Sequence, residues 1–158
     1  MSAKFNNTIE MALPSDGVMV VGSDNLIHRD YFDYLAEKRP DFVDLGWCYY
    51  YEQATGKMLW HYQAVLGAGK YMSRTILERA SWRPYEENQN RNVDGGPKKY
   101  VYEGEGVYLQ EPWAIDIKTP DENMWDFSVI EGRYRNTQEV DAKLIFASFG
   151  LIDSDWAI

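Results

Sequence analysis

The spacing of apolar residues along the chain changes near residue 41. Before that point, GVMVVG at residues 17–22 is a short apolar run bounded by turn residues, which predicts a buried strand. The next segment carries Ile27, Tyr31, Tyr34 and Leu35 at helical spacing, with a capping residue available at positions 23–25 and Pro40 available to end the helix. The pattern therefore predicts one strand followed by one helix near the N-terminus.

From residue 42 onward, apolar residues recur at every second position, and Gly or Pro interrupts the pattern often. This spacing predicts antiparallel strands, which would cover residues 42–53, 58–66, 71–82, 99–110, 114–117, 124–134 and 140–149. Residues 83–97 are polar, which predicts a long exposed loop. The fold we expect is α+β and predominantly antiparallel, a meander sheet that curls toward a barrel or sandwich, with one helix near the N-terminus.

An aromatic hairpin is predicted around the Thr55-Gly56 turn. A two-residue or four-residue turn there would place Tyr51 opposite Trp60 and Tyr49 opposite Tyr62, so that rings face rings. Each buried aromatic side chain withdraws about 150–250 Å² from water. We therefore expect the face that carries these rings to be the core side of the sheet.

The opposite face of the same predicted strands carries titratable side chains. If the third strand pairs as expected, the face holds Tyr50, His61 and Arg74, with Glu52 and Glu78 close by. In a pocket, His61 would act as general base, Tyr50 and Arg74 would orient or polarise a substrate, and a glutamate would tune the histidine. Facing solvent, the same residues would form an ordinary outer surface. The pattern leaves both interpretations open.

Composition narrows the classes of function. A length of 158 residues predicts a single domain, residues 1–158, and a net charge of −9 argues against nucleic-acid and membrane partners. No run is long enough to span a bilayer and no signal peptide is recognisable, so a soluble, cytoplasmic protein is expected. One cysteine, Cys48, and two histidines offer no zinc cluster and no internal disulfide. We expect no metal and no cofactor.

One segment resembles a known family. YFDYLAEKR at residues 31–39 resembles the helix of hot-dog thioesterases, and the predicted order of strand, helix and antiparallel meander is shared with hot-dog domains. The resemblance implies an enzyme that acts on an acyl substrate. Those enzymes usually show Gly-His and paired Asn residues before the helix, and His28 lacks that setting. No catalytic residue is therefore carried over.

Two classes of function fit the sequence. The first is a non-enzymatic binding or assembly protein, for example a structural or virion component, whose aromatic and acidic surface engages copies of itself or another protein. Its predicted contact residues are Trp113, Trp125, Trp156 and Ile158. The alternative is a small metal-free β-barrel or hot-dog-like enzyme, an isomerase, cyclase, dehydratase or thioesterase. It would act on a small aromatic or acyl ligand through His61 and its neighbours.

Overall fold

The computed structural model describes residues 2–13, 15–62, 67–87, 93–119, 127–133 and 137–151. The helices in these ranges are α1 (Ser2–Met11), α2 (Arg29–Lys38), α3 (Arg74–Arg79), a 3-10 helix (Val93–Tyr100), α4 (Phe127–Arg133) and α5 (Ala142–Ser148). The strands are β1 (Gly17–Val20), β2 (Asn25–Ile27), β3 (Phe42–Leu45), β4 (Trp47–Glu52), β5 (Lys57–Tyr62), β6 (Lys70–Ser73), β7 (Gly106–Leu109), β8 (Ala114–Lys118) and β9 (Gln138–Val140). None of these described helices is long and apolar enough to cross a bilayer.

The strands form two sheets. The first sheet has the order β1-β6-β3-β7, and the second has the order β2-β8-β4-β5-β9. Most neighbours are antiparallel, but β3 pairs with β7 and β4 pairs with β8 in parallel. The predicted α+β class with mostly antiparallel strands is confirmed. The described strands do not close into a barrel, and the predicted simple meander is wrong because two pairs are parallel. The meander on which the hot-dog resemblance rested is therefore not present.

A break at Gly46 lets one chain segment serve both sheets. Gly46 separates β3 from β4, and its N–H donates to the carbonyl of Leu109, 2.9 Å away, at the end of the neighbouring β7. A Cβ at this position would lie 3.1 Å from the Tyr62 ring and 3.2 Å from the Leu109 carbonyl oxygen. The missing side chain thus lets backbone and ring approach closely where the strand changes sheet.

Three apolar clusters hold the layers together. The cluster shared by the two sheets contains Val43 and Leu45 from β3 together with Tyr50 and Leu59, and Tyr31 of α2 packs in it. A second cluster covers the other face of the first sheet beneath α1 and α3, and a third covers the other face of the second sheet beneath α5. We call the side of the second sheet that faces the shared cluster its inner face, and the side that lies beneath α5 its outer face.

A buried ion cluster fastens the 3-10 helix to the first sheet. The Nζ atoms of Lys70 and Lys98 each lie 3.1 Å from one carboxylate oxygen of Asp44. Asp44 and Lys70 are almost completely withdrawn from solvent. Removing one partner of such a buried pair costs about 3–5 kcal/mol, because the other charge stays buried. The cluster therefore holds the 3-10 helix in one position against β3.

The start of the chain follows the sequence pattern in part, because the helix α1 was not predicted and β1 is only half-buried. The predicted strand at residues 17–22 appears as β1, and the predicted helix appears as α2. The cap was expected at residues 23–25, but it is His28, whose ring accepts a hydrogen bond from the N–H of Asp30. Residues 25–27 instead pair with β8. Arg39 ends the helix in the left-handed conformation directly before Pro40, as the proline predicts.

Several predicted strands are helices or belong to another sheet. Residues 71–82 were expected to form one strand beside β5, but they split into β6 of the first sheet and the helix α3. The described parts of 124–134 and 140–149 contain α4 and α5. Ser73 caps α3 through the N–H of Ile76, and Asp141 caps α5 through the N–H groups of Lys143 and Leu144. These caps accept hydrogen bonds from N–H groups in the first turn of each helix, which have no partner within the helix. A strand would not need such caps.

The predicted strand 99–110 is reduced to β7, because residues 99–100 belong to the 3-10 helix and residues 101–105 form a loop and turn. The predicted strand 114–117 appears as β8. The predicted exposed loop, residues 83–97, also differs in part. Tyr85 is buried, and its backbone exchanges two hydrogen bonds with the buried side chain of Asn6, at 2.8 and 3.1 Å. The side-chain amide of Asn6 thus provides the hydrogen-bond partners that the buried backbone of Tyr85 would otherwise need from water. Residues 88–92 lie outside the described part.

The hairpin of β4 and β5 has the predicted side-chain alternation but a different register. Tyr49 lies opposite Trp60 and Tyr51 opposite Met58, two residues away from the predicted pairing. Gly56 adopts φ of 73° in the turn that connects the strands. A shift of two residues keeps every side chain on its predicted face. The predicted core side is nevertheless wrong, because the face that carries Tyr50 and His61 is the more deeply buried one.

Candidate functional site

Five side chains form an inner polar cluster on the inner face of the second sheet: Cys48, Tyr50, His61, Asp116 and Lys118. Strand pairing brings them together, because Cys48 lies opposite His61 on β5 and Tyr50 lies beside Asp116 on β8. The ring centroids of Tyr50 and His61 are 6.3 Å apart, and Lys118 Nζ lies 5.8 Å from the Tyr50 ring. The sheet therefore places an acid, a cation, a phenol and an imidazole next to one another.

Asp116 has an unusual acidity for a carboxyl group. Burial raises the pKa of this carboxyl group to about 6, although Lys118 Nζ lies 2.8 Å from Oδ2 and opposes the shift. The neighbouring Asp24 raises the pKa further. Oδ1 is buried and has no hydrogen-bond partner among the described residues. A carboxyl group with a pKa near neutrality can both accept and release a proton at physiological pH.

Burial holds the other two proton carriers in their neutral forms. It lowers the pKa of His61 and raises the pKa of the Cys48 thiol well above its ordinary value. Both side chains are at least nine-tenths buried. Cys48 is therefore a thiol rather than a thiolate, and the thiolate is the nucleophilic form. The arrangement offers proton transfer at Asp116, and it does not offer an activated cysteine.

The predicted catalytic residues do not form one group. Tyr50 and His61 are neighbours, as expected, and Glu52 follows at the end of β4, where it accepts a hydrogen bond from Thr55. The predicted third strand is wrong at this point, and Arg74 and Glu78 lie on the helix α3 instead. The guanidinium of Arg74 donates to the carbonyl of Ser15, and Glu78 is exposed. A set of five converging residues is therefore absent, and any catalytic role stays a prediction.

Asp116 and Lys118 were missed by the sequence prediction. They alternate with Ile115 and Ile117 in a strand that was predicted correctly, so their shared face could be inferred. Their neighbours could not be inferred, because β8 pairs in parallel with β4, more than sixty residues earlier in the chain. The available signal was two opposite charges on one face of a short strand.

Three rings form an aromatic patch on the outer face of the second sheet: Trp47, Trp60 and Tyr62. The indoles of Trp47 and Trp60 stack with centroids 4.3 Å apart and planes 23° apart, and the Tyr62 ring lies 5.2 Å from that of Trp47. Tyr62 is 47% exposed, and both tryptophans are partly exposed. The Nε1 donor of Trp60 is buried and finds no acceptor in the described part of the chain. The patch is thus a rigid apolar surface that reaches solvent.

The predicted partner-contact residues have different environments. Trp113 is partly buried and packs against the shared cluster, with its ring 5.6 Å from those of Tyr31 and Tyr34, and its role in a partner contact stays a prediction. Trp125, Trp156 and Ile158 lie outside the described residues. The aromatic patch was assigned to the core in the sequence prediction. Its rings are partly exposed because α5 packs over only part of the outer face within the described ranges.

Known proteins offer no guide to the site. The chain matches no protein-family model, no curated protein and no solved structure. Among the described residues, no three His, Cys, Asp or Glu side chains are grouped so that they could hold a metal ion. The inner polar cluster and the aromatic patch are therefore the two candidate sites of the described chain.

Proposed function

We propose that this protein is a non-enzymatic assembly module whose aromatic patch binds a second copy of the same chain. The observation that carries the proposal is the half-exposed Tyr62 ring beside two tryptophans that stack on each other. Tryptophan and tyrosine contribute most of the binding energy at many protein interfaces. Because these rings are already held in place by one another, little conformational entropy is lost when they bind.

The position of the patch supports binding by contact between apolar surfaces. It lies on a sheet face, and sheet faces are normally buried against another layer. In the described part of the chain, α5 provides that layer over Met58 and Tyr51 but not over Tyr62. A second copy would supply the missing layer and would withdraw the rings from water. The net charge of −9 opposes association at low salt, so assembly should strengthen as salt is added.

The test is the self-association of Tyr62→Lys measured by sedimentation velocity. We expect the unmodified protein to dimerise in the micromolar range and Tyr62→Lys to weaken dimerisation at least about tenfold, because a charge enters the apolar contact. Phe32→Lys is the matched control, since Phe32 is 51% exposed on α2 and receives the same change in charge. A monomeric unmodified protein, or equal effects of the two variants, would contradict the proposal.

A second candidate function is favoured by Asp116. As a metal-free enzyme acting on a small aromatic or acyl substrate, the protein would use Asp116 as the acid and base, and Lys118 would stabilise negative charge on a substrate oxygen. The pKa of about 6 and the 2.8 Å contact with Lys118 support this alternative. Screening acyl and aromatic carbonyl compounds with the unmodified protein and Asp116→Asn tests it. Turnover that the variant loses would favour the enzyme, whereas no turnover would leave assembly as the better account.

A further inference from the structure

The outer face of the second sheet is a continuous apolar surface, and within the described part of the chain α5 packs over about half of it. The other half is the partly exposed aromatic patch. The covered half contains Tyr49, Tyr51 and Met58, which pack beneath Phe146 and Phe149. The Tyr51 ring meets that of Phe146 edge-on at 4.8 Å, and the Tyr49 ring meets that of Phe149 at 6.4 Å. Tyr49 is also the cross-strand neighbour of Trp60, so the two halves are continuous.

The cover itself is short. α5 contains seven residues, and an isolated helix of that length is unstable in water. Phe146 is its buried residue, whereas Leu144 is largely exposed. At its C-terminal end, the N–H groups of Gly150 and Leu151 return to the carbonyls of Ala147 and Phe146. The stability of α5 therefore depends on the contacts at its ends and on its packing against the third cluster, where Ile145 and Phe149 accompany Phe146.

His28 fastens the C-terminal end of α5 to the start of α2. Its Nε2 lies 2.7 Å from the carbonyl oxygen of Ser148, and its Nδ1 accepts from the N–H of Asp30 at 3.1 Å. The tautomer that carries hydrogen on Nε2 satisfies both bonds. The Phe149 ring meets the imidazole edge-on, with centroids 4.7 Å apart. One side chain thus caps α2 and also binds a carbonyl that the end of α5 leaves free.

We propose that α5 is a detachable cover, fastened by His28, which opens without unfolding of the sheets and extends the aromatic patch across the whole outer face. The surface area that a stable interface needs supports this inference. A stable interface buries about 800 Å² on each partner, and three partly buried rings of about 150–250 Å² each fall short of that. Two further tyrosines add on the order of 300–500 Å². The role of the opened face in self-association rests on the proposed function, whereas the opening does not.

Hydrogen exchange followed by mass spectrometry tests the opening on dilute, monomeric protein. His28→Ser keeps an oxygen that can cap α2 but is too short to reach Ser148. We expect backbone amides of residues 142–151 to exchange about tenfold faster in His28→Ser, with no change in β3, β4 and β5. Unchanged exchange in residues 142–151 would overturn the proposal.

A second variant separates local opening from unfolding of the whole protein. Ser73→Ala removes the cap of α3 beside the first sheet and should speed exchange of the core strands through lower overall stability. Exchange of residues 142–151 should stay as it is in the unmodified protein. If these amides instead follow the core strands in Ser73→Ala, α5 opens only when the protein unfolds and the proposal fails.

Self-association of His28→Ser then decides what the opened face does. A larger open population should tighten dimerisation several-fold, because less free energy is spent on opening. Faster exchange with unchanged dimerisation would keep the detachable cover and overturn its role in assembly. A monomer at every concentration would overturn the proposed function and leave the exchange result standing.

Discussion

Asp116 lies on the inner face of β8 with a pKa of about 6, against an ordinary value of 3.8. Because burial is the main cause, the folded protein holds this proton more tightly than the unfolded chain does. The stability that results is fully present below about pH 4 and is lost as the pH rises through about 6. A shift of about two pKa units corresponds to about 3 kcal/mol.

We predict a pH-dependent difference between the unmodified protein and Asp116→Asn. Measured by urea denaturation, the free energy of unfolding of the unmodified protein relative to the variant should fall by about 2–3 kcal/mol between pH 4 and pH 7. Asp33→Asn is the control, because Asp33 is an exposed carboxylate on α2. A difference that does not change with pH would show that Asp116 is not buried as described.

For single residues, the sequence pattern predicted which face of a strand a side chain lies on, but it did not predict whether that face is buried. Tyr50 and His61 share a face, as predicted, because alternation along a strand survives a register shift of two residues. Whether that face is buried depends on what packs on it, and here the shared cluster and α4 cover it. Asp116 and Lys118 escaped the prediction for the same reason, because their neighbours come from a distant strand.

At the scale of elements, two glycines provide a matched test of local backbone structure. Gly56 adopts φ of 73° in the hairpin turn, whereas Gly132 lies within α4. A Cβ added at either position meets no atom within 4 Å. Any effect of alanine must therefore come from the backbone rather than from packing.

The two alanine variants should change stability in opposite directions. Gly56→Ala should lower the free energy of unfolding by about 1 kcal/mol or more, because a left-handed conformation strains an L-residue. Gly132→Ala should raise it by about 0.5–1 kcal/mol, because glycine is a poor helix former. Thermal or urea denaturation of both variants measures the pair. Changes of the same sign would contradict the assigned turn or the assigned helix.

The helix α2 and the strand β8 could be predicted from an uninterrupted pattern, whereas α1 and the short helices could not. α2 spans ten residues with a clear apolar face and a proline after it, and β8 follows a simple alternation. α3 and α5 have six and seven residues, too few for spacing of two to be distinguished from helical spacing. Their N-caps, Ser73 and Asp141, were the available signal in the sequence.

At the scale of the whole molecule, two parallel strand pairs determine the architecture. They join β3 to β7 and β4 to β8. Apolar spacing identifies strands but does not identify their partners, and for that reason a single meander was predicted in place of two sheets. The same limit hid the coverage of the outer face, because α5 reaches it from the far end of the described chain.

The central claim is that the aromatic patch is open in the monomer and covered on assembly. Hydroxyl-radical footprinting of the unmodified protein, at one concentration where it is monomeric and one where it is assembled, tests this claim most directly. We expect Trp47, Trp60 and Tyr62 to be oxidised more slowly in the assembled sample than in the monomeric one, with no change at the exposed Phe32. Equal oxidation of the three patch residues at both concentrations would contradict it.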